Sequence, residues 1–415
     1  MLLKRFYFLL LITWLVLAGS LAEASSSGPL SLEAAVRLAI QRDEGLRATL
    51  EEAAALREQS VAAAQLPDPM LRLGAAALPL DSLALDDEPM TQLQLGLAQR
   101  FPAGRTRELA GRRLAVEADA LDAARAERRR FVAWQLEVAW RELDYLERAL
   151  ALLEQDGRWL DTLVGAREAG YAAGTVGSLE LIEARLERAE LGERRLGLLA
   201  RREAATASLD RWLGEGVAAD GRQPAPEPSP QPTPSVALER LEIHPSLLRL
   251  DRAQEAASVE VNLVEQRYRP AYGVEVGYGF RVNRPDMLSA MLTFDLPLFT
   301  RDRQDRERAA AMSRTRAAAA RREDARRDLS ARLAEAQARE GRLAEAQALY
   351  TEALEPLAAL GEDLALAAYA SDAGGLAEVV SSRRRAVELT ERLERLRLER
   401  GLAAAEIRYL IGDLP

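Results

Sequence analysis

The sequence predicts a mainly α-helical chain, written as one unit repeated in tandem, with four short β-strands that form part of a membrane β-barrel. Three observations predict it. Ala, Leu, Arg and Glu dominate, with 29% charged and 5% aromatic residues, the usage of long helices with narrow apolar seams. Shifting the sequence by 198 residues, the distance from Tyr171 to Tyr369, also aligns Gly177 with Gly375, Glu180 with Glu378, Ile182 with Val380 and Gly214 with Gly412. Four segments alternate apolar and polar residues, as strands with two unlike faces do.

The chain opens MLLKRFYFLLLITWLVLAGSLAEASSSG. Lys4 and Arg5 precede an apolar run from Phe6 to Ala18, and Ala22 and Ala24 occupy the small-residue positions of a cleavage site, so residues 1–24 read as a secretory signal peptide. No later stretch approaches the ~20 apolar residues of a membrane helix, which leaves any membrane role to strands or surface. The chain has no cysteine, which excludes disulfides, thiolate metal sites and an acylated cysteine anchor. A net charge of −9 argues against nucleic acid as a partner.

The two halves, residues 25–221 and 236–415, flank the proline-rich RQPAPEPSPQPTPS of residues 222–235, which reads as an extended linker. Each half begins with a helical run, Ser31 to Leu66 and Val236 to Tyr268. Further upstream the offset drifts: Gln65 and Pro69 match Gln266 and Pro270, while Phe101-Pro102 match Leu296-Pro297.

The strands come next, at about 69–79 and 90–101, then 270–282 and 287–298. In PAYGVEVGYGFRV, Tyr272, Val274, Val276, Tyr278 and Phe280 oppose Gly273, Glu275, Gly277, Gly279 and Arg281. Leu93, Leu95 and Leu97 oppose Gln92, Gln94 and Gly96, while Leu288, Leu292 and Phe294 oppose Ser289, Thr293 and Asp295. Leu71 and Leu73 oppose Arg72 and Gly74 more weakly. Ten-residue alternation of this kind is the signature of a membrane barrel with a wet lumen, although half-buried strands of a soluble sheet look similar one by one. Four strands cannot close a barrel; three chains would supply about twelve.

A long helical run follows in each half, about Arg105 to Gly170 and Asp302 to Ala370. Val132, Leu136, Ala139, Leu143, Leu146, Leu150 and Leu153 repeat at 4, 3, 4, 3, and Leu329, Leu333, Ala336, Leu343, Tyr350, Leu354 and Leu357 mirror them. A run of about 67 residues spans about 100 Å, and the shorter first and last runs placed end to end would match it. Dimeric coiled coils would show the same periodicity. A glycine-broken turn then leads into a return helix, Ser178 to Leu213 and Leu376 to Ile411. Its glycines allow φ > 0 and close approach, and Ser178 is placed to cap the return helix.

Eight segments in this order resemble the TolC-type outer-membrane efflux protein family. In the first half they are LSLEAAVRLAIQRDEGLR, AQLPDPML, AQRFPAGRTRELA and GYAAGTVGSLELIEARLERAEL. In the second they are EIHPSLLRL, YRPAYGVEVGYG, TFDLPLFTRDR and YASDAGGLAEVVSSRRRAVEL. The resemblance implies a homotrimer with a 12-stranded β-barrel in the outer membrane and an α-helical barrel crossing the periplasm. It implies an exit duct of a tripartite efflux system, served by a periplasmic adaptor and an inner-membrane pump, for example of the RND type. The turns become the adaptor-docking tip: Gly174, Thr175, Val176, Gly177, Ser178 and Leu179, with Asp372, Gly374, Gly375 and Leu376. Arg167, Glu362, Asp363 and Asp372 become candidates for a periplasmic gate, although solvated surface charge is the commoner explanation for any one of them.

No cofactor or catalysis is expected: the chain carries no phosphate-binding glycine loop, no H-E-x-x-H and no cysteine nucleophile. His244, the only histidine, precedes Pro245 at a helix start, where capping or solvent exposure is the ordinary role. LPDPML followed by MTQLQLGLAQRFPAGR resembles most the branch of the family working with heavy-metal cation pumps. Met70, Met90, Met287 and Met291 lie in or beside the strands, Met291 alone being expected on the polar face; thioethers suit soft cations, and apolar filling explains them too. Drug efflux, protein secretion and a structural periplasmic coiled-coil protein remain alternatives.

Overall fold

The computed structural model describes residues 29–217 and 221–412; the expected signal peptide, residues 1–24, lies outside them. Each opening helical run is two helices rather than one. The first comprises α1 (Leu32–Arg42) and α2 (Glu44–Ala63), broken at Asp43, whose carboxylate caps α2 by accepting from the Leu46 N–H at 2.8 Å. The second comprises α5 (Pro234–Glu242) and α6 (Pro245–Glu265), broken at His244, which caps α6 by accepting from the Ser246 N–H at 3.2 Å. Asp43 and His244 are separated by the same offset as Gln65 and Gln266. They are one cap rewritten, and Pro245 bars helix from the residue before it.

The strands are β1 (Met70–Ala76), β2 (Gln92–Phe101), β3 (Ala271–Phe280) and β4 (Met287–Asp295), forming one antiparallel sheet in the order β1-β2-β3-β4. The register aligns Leu73, Leu95, Tyr278 and Leu288, and two positions along aligns Leu71, Leu97, Val276 and Ala290. These rows share one apolar face, which is largely exposed: Leu73 is 75% and Leu288 78% accessible. The opposite face carries the ion pairs Arg72–Glu275 and Arg100–Asp295, both at 2.7 Å. It also carries Gly74, Gly96, Gly273, Gly277 and Gly279. A Cβ at Gly279 would lie 2.0 Å from Gln92 Oε1, so glycine there leaves room for a long polar side chain to cross the strand.

α3 (Thr106–Ala172) is unbroken over 67 residues, about 100 Å, and α4 (Ser178–Leu213) returns along it. The expected seam is its core. Val132, Leu136, Leu143, Leu146 and Leu153 are buried, with Leu32, Val36, Leu209 and Leu213 of α1 and α4 closing over its middle. Fully burying each leucine contributes about 1.5–3 kcal/mol.

The second long run differs. It is α7 (Gln304–Leu349), a π-helical turn over Tyr350–Leu354, and α8 (Glu355–Ala370), followed by α9 (Leu376–Ile411). Two features produce the break. Pro356 has no N–H to give to residue 352 and its ring crowds that carbonyl. The halves also differ in length: Val132, Leu136 and Leu146 match Leu329, Leu333 and Leu343 at an offset of 197, whereas Tyr171 matches Tyr369 at 198. The second half is one residue longer between them, and the π turn, in which the Glu355 N–H bonds Tyr350 O, absorbs it.

The proline-rich stretch is a strap rather than a free spacer. Gly221 and Gln223 exchange backbone bonds with Leu30 at 3.1 and 2.9 Å, Trp140 Nε1–H donates to Gln223 O at 3.2 Å, and Arg141 donates to Pro226 O at 3.0 Å.

α3 packs along α2 and α4 of its own half and along α6 and α9 of the other. The main partners of α7 are α5, α6 and α9, all of its own half, and α8 buries no residue. Leu357, Leu360 and Leu364, one face of α8, stay more than half exposed, as do Leu179, Ile182 and Leu186 of α4. The outer side of α7 and α8 therefore lacks the neighbours that α3 finds in the second half.

Candidate functional site

The two helical turns lie at the end of the molecule away from the sheet. In the first, Ala173 ends α3 and Gly174 is left-handed at φ +74°; the Thr175 and Val176 N–H groups donate to Gly170 O at 2.9 and 3.3 Å. This is the glycine-terminated helix end. The residue capping α4 is Gly177, not Ser178: Ser178 is the first helical residue, and no side chain accepts a capping bond there. A glycine cap leaves the first N–H groups of α4 without a side-chain partner.

The second turn has the same path with different residues. Asp372 takes the left-handed position at φ +58° where the first turn has Gly174, Gly375 caps α9, and the Ala373 and Gly374 N–H groups donate to Ala368 O at 2.9 and 3.1 Å. Aspartate tolerates this conformation better than most residues with a Cβ. Gly374 is needed for another reason. A Cβ there would meet Ala368 Cβ at 3.0 Å, whereas in the first turn a Cβ on Gly170 would meet Val176 Cγ2 at 2.4 Å. Gly170 corresponds to Ala368 and Val176 to Gly374, so the side-chain volume has changed sides across one contact. Alignment of the halves contained this signal, and counting glycines alone missed it.

The charged residues singled out near the tip fall into two groups. Arg167 pairs with Glu180 across its own hairpin, and Glu362 accepts from Arg383 of α9 at 3.1 Å. Arg383 also lies 3.6 Å from Asp156 of α3, so it joins both halves. Asp363 and Asp372 are exposed and make no ion pair among the described residues.

Between the first hairpin and α9 lies a groove of about 720 Å³ that the sequence did not disclose. Leu160, Leu163, Leu191 and Val380 form its floor, and Arg194–Glu391, at 2.8 Å, crosses it. Burial raises the Glu391 carboxyl pKa against the pull of Arg194, and Asp156 and Glu388 add to the rise. Glu183, Glu190 and Glu388 line the groove with no ion pair among the described residues, leaving its rim acidic.

Higher up, buried charges join the halves. Glu137 accepts from Arg141 at 2.8 Å and contacts Arg408 of α9; Arg148 donates to Glu394 at 2.6 Å and contacts Asp144. Gly401 makes room, since a Cβ there would lie 2.8 Å from Arg141 Nη1. These residues carry no periodicity and were invisible as a site. His244 does cap a helix, but it is buried rather than solvent-facing: it packs edge-on against Tyr409 at 5.6 Å, and burial lowers its pKa to about 4.

No protein-family model matches the sequence, and no curated protein matches it. Solved structures do. A membrane protein from Pseudomonas aeruginosa is 19% identical with a TM-score of 0.79, covering 92% of both chains. The outer membrane protein VceC from Vibrio cholerae is 16% identical with a TM-score of 0.77, over 92% of this chain and 96% of that one. The Campylobacter jejuni CmeC outer membrane channel is 12% identical with a TM-score of 0.76, over 92% and 85%. At these identities the likeness is one of fold, and it covers 92% of this chain in each case: the chain has the TolC-type fold.

Proposed function

We propose that this chain is the outer-membrane exit duct of a tripartite efflux system, a homotrimer that passively conducts substrate from a periplasmic adaptor and an inner-membrane pump to the outside. The observation that carries the reading is the sheet. It has two unpaired edges, one exposed apolar face and one polar face with ion pairs, and it sits at the end of an ~100 Å helical wall. Three such sheets make a closed barrel of twelve strands with a wet lumen. The vacant outer side of the second half is where the next copy would pack. A purely structural coiled-coil protein has no use for such a sheet.

In this reading the turns at Gly174 to Leu179 and Asp372 to Leu376 are the adaptor-docking tips, and the acidic groove beside them receives a basic segment of the adaptor. Asp363 and Asp372, exposed and unpaired, are the gate residues. Arg167 and Glu362, each held by an ion pair within the protomer, latch the hairpins that carry them.

For substrate we favour heavy-metal cations over drugs or secreted protein. The expectation that Met291 alone shares the polar face needs correction. Met70 and Met291 occupy the row of Glu275, and Met287 shares a row with Gly279, so three methionines share the polar face. Soft cations such as Cu(I) and Ag(I) are the ones that thioethers suit.

The test is to express the chain with its signal, fractionate the envelope, and compare unboiled with boiled detergent extracts. A heat-modifiable trimer in the outer membrane, forming channels in planar bilayers, is expected. A water-soluble monomer or dimer overturns the reading.

A further inference from the structure

The two connections from sheet to helix differ. Four residues, 102–105, join β2 to α3, and eight residues, 296–303, join β4 to α7. The short connection is packed: Phe101 stacks on Tyr272 at 4.9 Å, Gly104 at φ +49° lies against Gln266 and Arg269, and Pro102 and Ala103 are half-buried. The long one projects. Leu296 is 62%, Leu298 72% and Phe299 91% exposed, the last being among the most exposed large apolar side chains of the chain.

Two arginines follow at once. Among the described residues Arg301 and Arg303 are exposed and make no ion pair, and Asp302 between them makes none either. Elsewhere on this rim Arg107, Arg269 and Arg306 also lack a carboxylate partner among the described residues, against two further acids without an ion pair, Asp68 and Asp305, the latter accepting from Tyr268 Oη at 2.6 Å. Five such arginines face three aspartates, so this rim is positive in a chain of net charge −9. Apolar side chains next to unpaired guanidinium groups, continuing the exposed apolar face of a sheet, match the boundary between acyl chains and phosphates.

We propose that the segment Leu296–Arg303 is a phospholipid-binding anchor, with Leu298 and Phe299 in the acyl region and Arg301 and Arg303 on headgroup phosphates of anionic phospholipid. The inference rests on the sheet being in a bilayer, as proposed above. Arginine presents a planar fork that suits phosphate, and its long stem lets the head reach the headgroup level while the neighbouring residues stay in hydrocarbon. The anchor occurs once per protomer, beside the β4 edge, so a trimer would carry three around its rim.

The full-length trimer is reconstituted in nanodiscs containing phospholipids brominated at shallow acyl positions. Two single variants, Leu292→Trp on the apolar face of β4 and Phe299→Trp in the segment, are compared with the unsubstituted protein, which supplies the background of native tryptophans. Quenching of both added tryptophans is expected. Quenching of the first without the second overturns the anchor while leaving the barrel intact, and means that a neighbouring copy covers the segment. Quenching of neither overturns the anchor and the barrel together.

A second measurement reads the charge. In Arg301→Gln/Arg303→Gln the trimer should still form, and its preference for phosphatidylglycerol over phosphatidylcholine among retained lipids should fall by up to about 25-fold, at roughly fivefold per arginine. An unchanged preference overturns the phosphate role of the arginines.

Discussion

Gly170→Ala should damage the first helical turn, and Val176→Gly should repair the damage. An added methyl on residue 170 would lie 2.4 Å from Val176 Cγ2 and 3.2 Å from its Cβ, well inside the ~3.5–4.0 Å of an ordinary carbon contact. Valine is stiff at χ1, and rotating it cannot clear the Cβ. Such overpacking costs about 1–3 kcal/mol, while alanine in place of glycine inside a helix returns about 1 kcal/mol. The two terms separate in a double-mutant cycle. With Val176 present the substitution should weaken the turn or leave it near neutral; with glycine at 176 it should stabilise by about 1 kcal/mol. The coupling energy is then about 1–3 kcal/mol. Native-state hydrogen exchange reads it at residues 175 and 176, whose N–H groups bond Gly170 O. A 1–3 kcal/mol coupling corresponds to about a 5- to 150-fold difference in exchange rate. If Gly170→Ala shifts exchange equally in both backgrounds, the volume exchange between the two turns is coincidental and the reasoning fails.

Other outcomes follow from the same structure. Arginine in place of Leu292 on the apolar sheet face should cost about 2–4 kcal/mol and deplete the heat-modifiable trimer, whereas Thr293→Arg on the polar face should be tolerated; equal losses would contradict the assignment of faces. Removing one residue of the π turn together with Pro356→Ala should give one continuous helix and raise the thermal midpoint, since proline inside a helix costs about 3 kcal/mol. A lower midpoint would show that the turn is needed for packing. His244 has a folded pKa of about 4 against 6.5 unfolded, so the unfolded chain binds more protons between those values. Stability should be complete above pH 6.5 and fall by up to about 3 kcal/mol towards pH 4. His244→Asn keeps a capping acceptor and removes the titration; melts at pH 7.5 and 4.5 should differ less in this variant than in the native chain.

Much of this was legible in the sequence, for identifiable reasons. Both return helices run over the expected residues, Ser178–Leu213 and Leu376–Ile411, because glycine punctuates each at both ends. The strands were legible because their two faces meet different surroundings, so alternation survives in composition. The helix break at Asp43 was not, since a capping side chain interrupts a helix without interrupting its apolar spacing, whereas the one at His244 is announced by Pro245. Pro356 and the 197-residue offset above it were both visible, and only together do they specify a π turn. The Arg383 and Glu137 clusters were hidden because they join residues more than 200 positions apart, or helices of different halves, and no local pattern encodes such pairs.

The single residue absorbed at Tyr350–Leu354 has a mechanical consequence. In an uninterrupted α-helix an inserted residue would turn everything beyond it by about 100° and slide it by about 1.5 Å, swinging the tip of that hairpin out of phase with its twin. The π turn takes up the rotation locally, so the tip keeps its facing at the expense of a joint. One stave of the wall is thus rigid and the other carries an elbow about 20 residues from its end. A closed ring of three copies would alternate stiff and jointed staves, letting its aperture widen on three elbows while the remaining three staves serve as fixed mountings for whatever grips the rim.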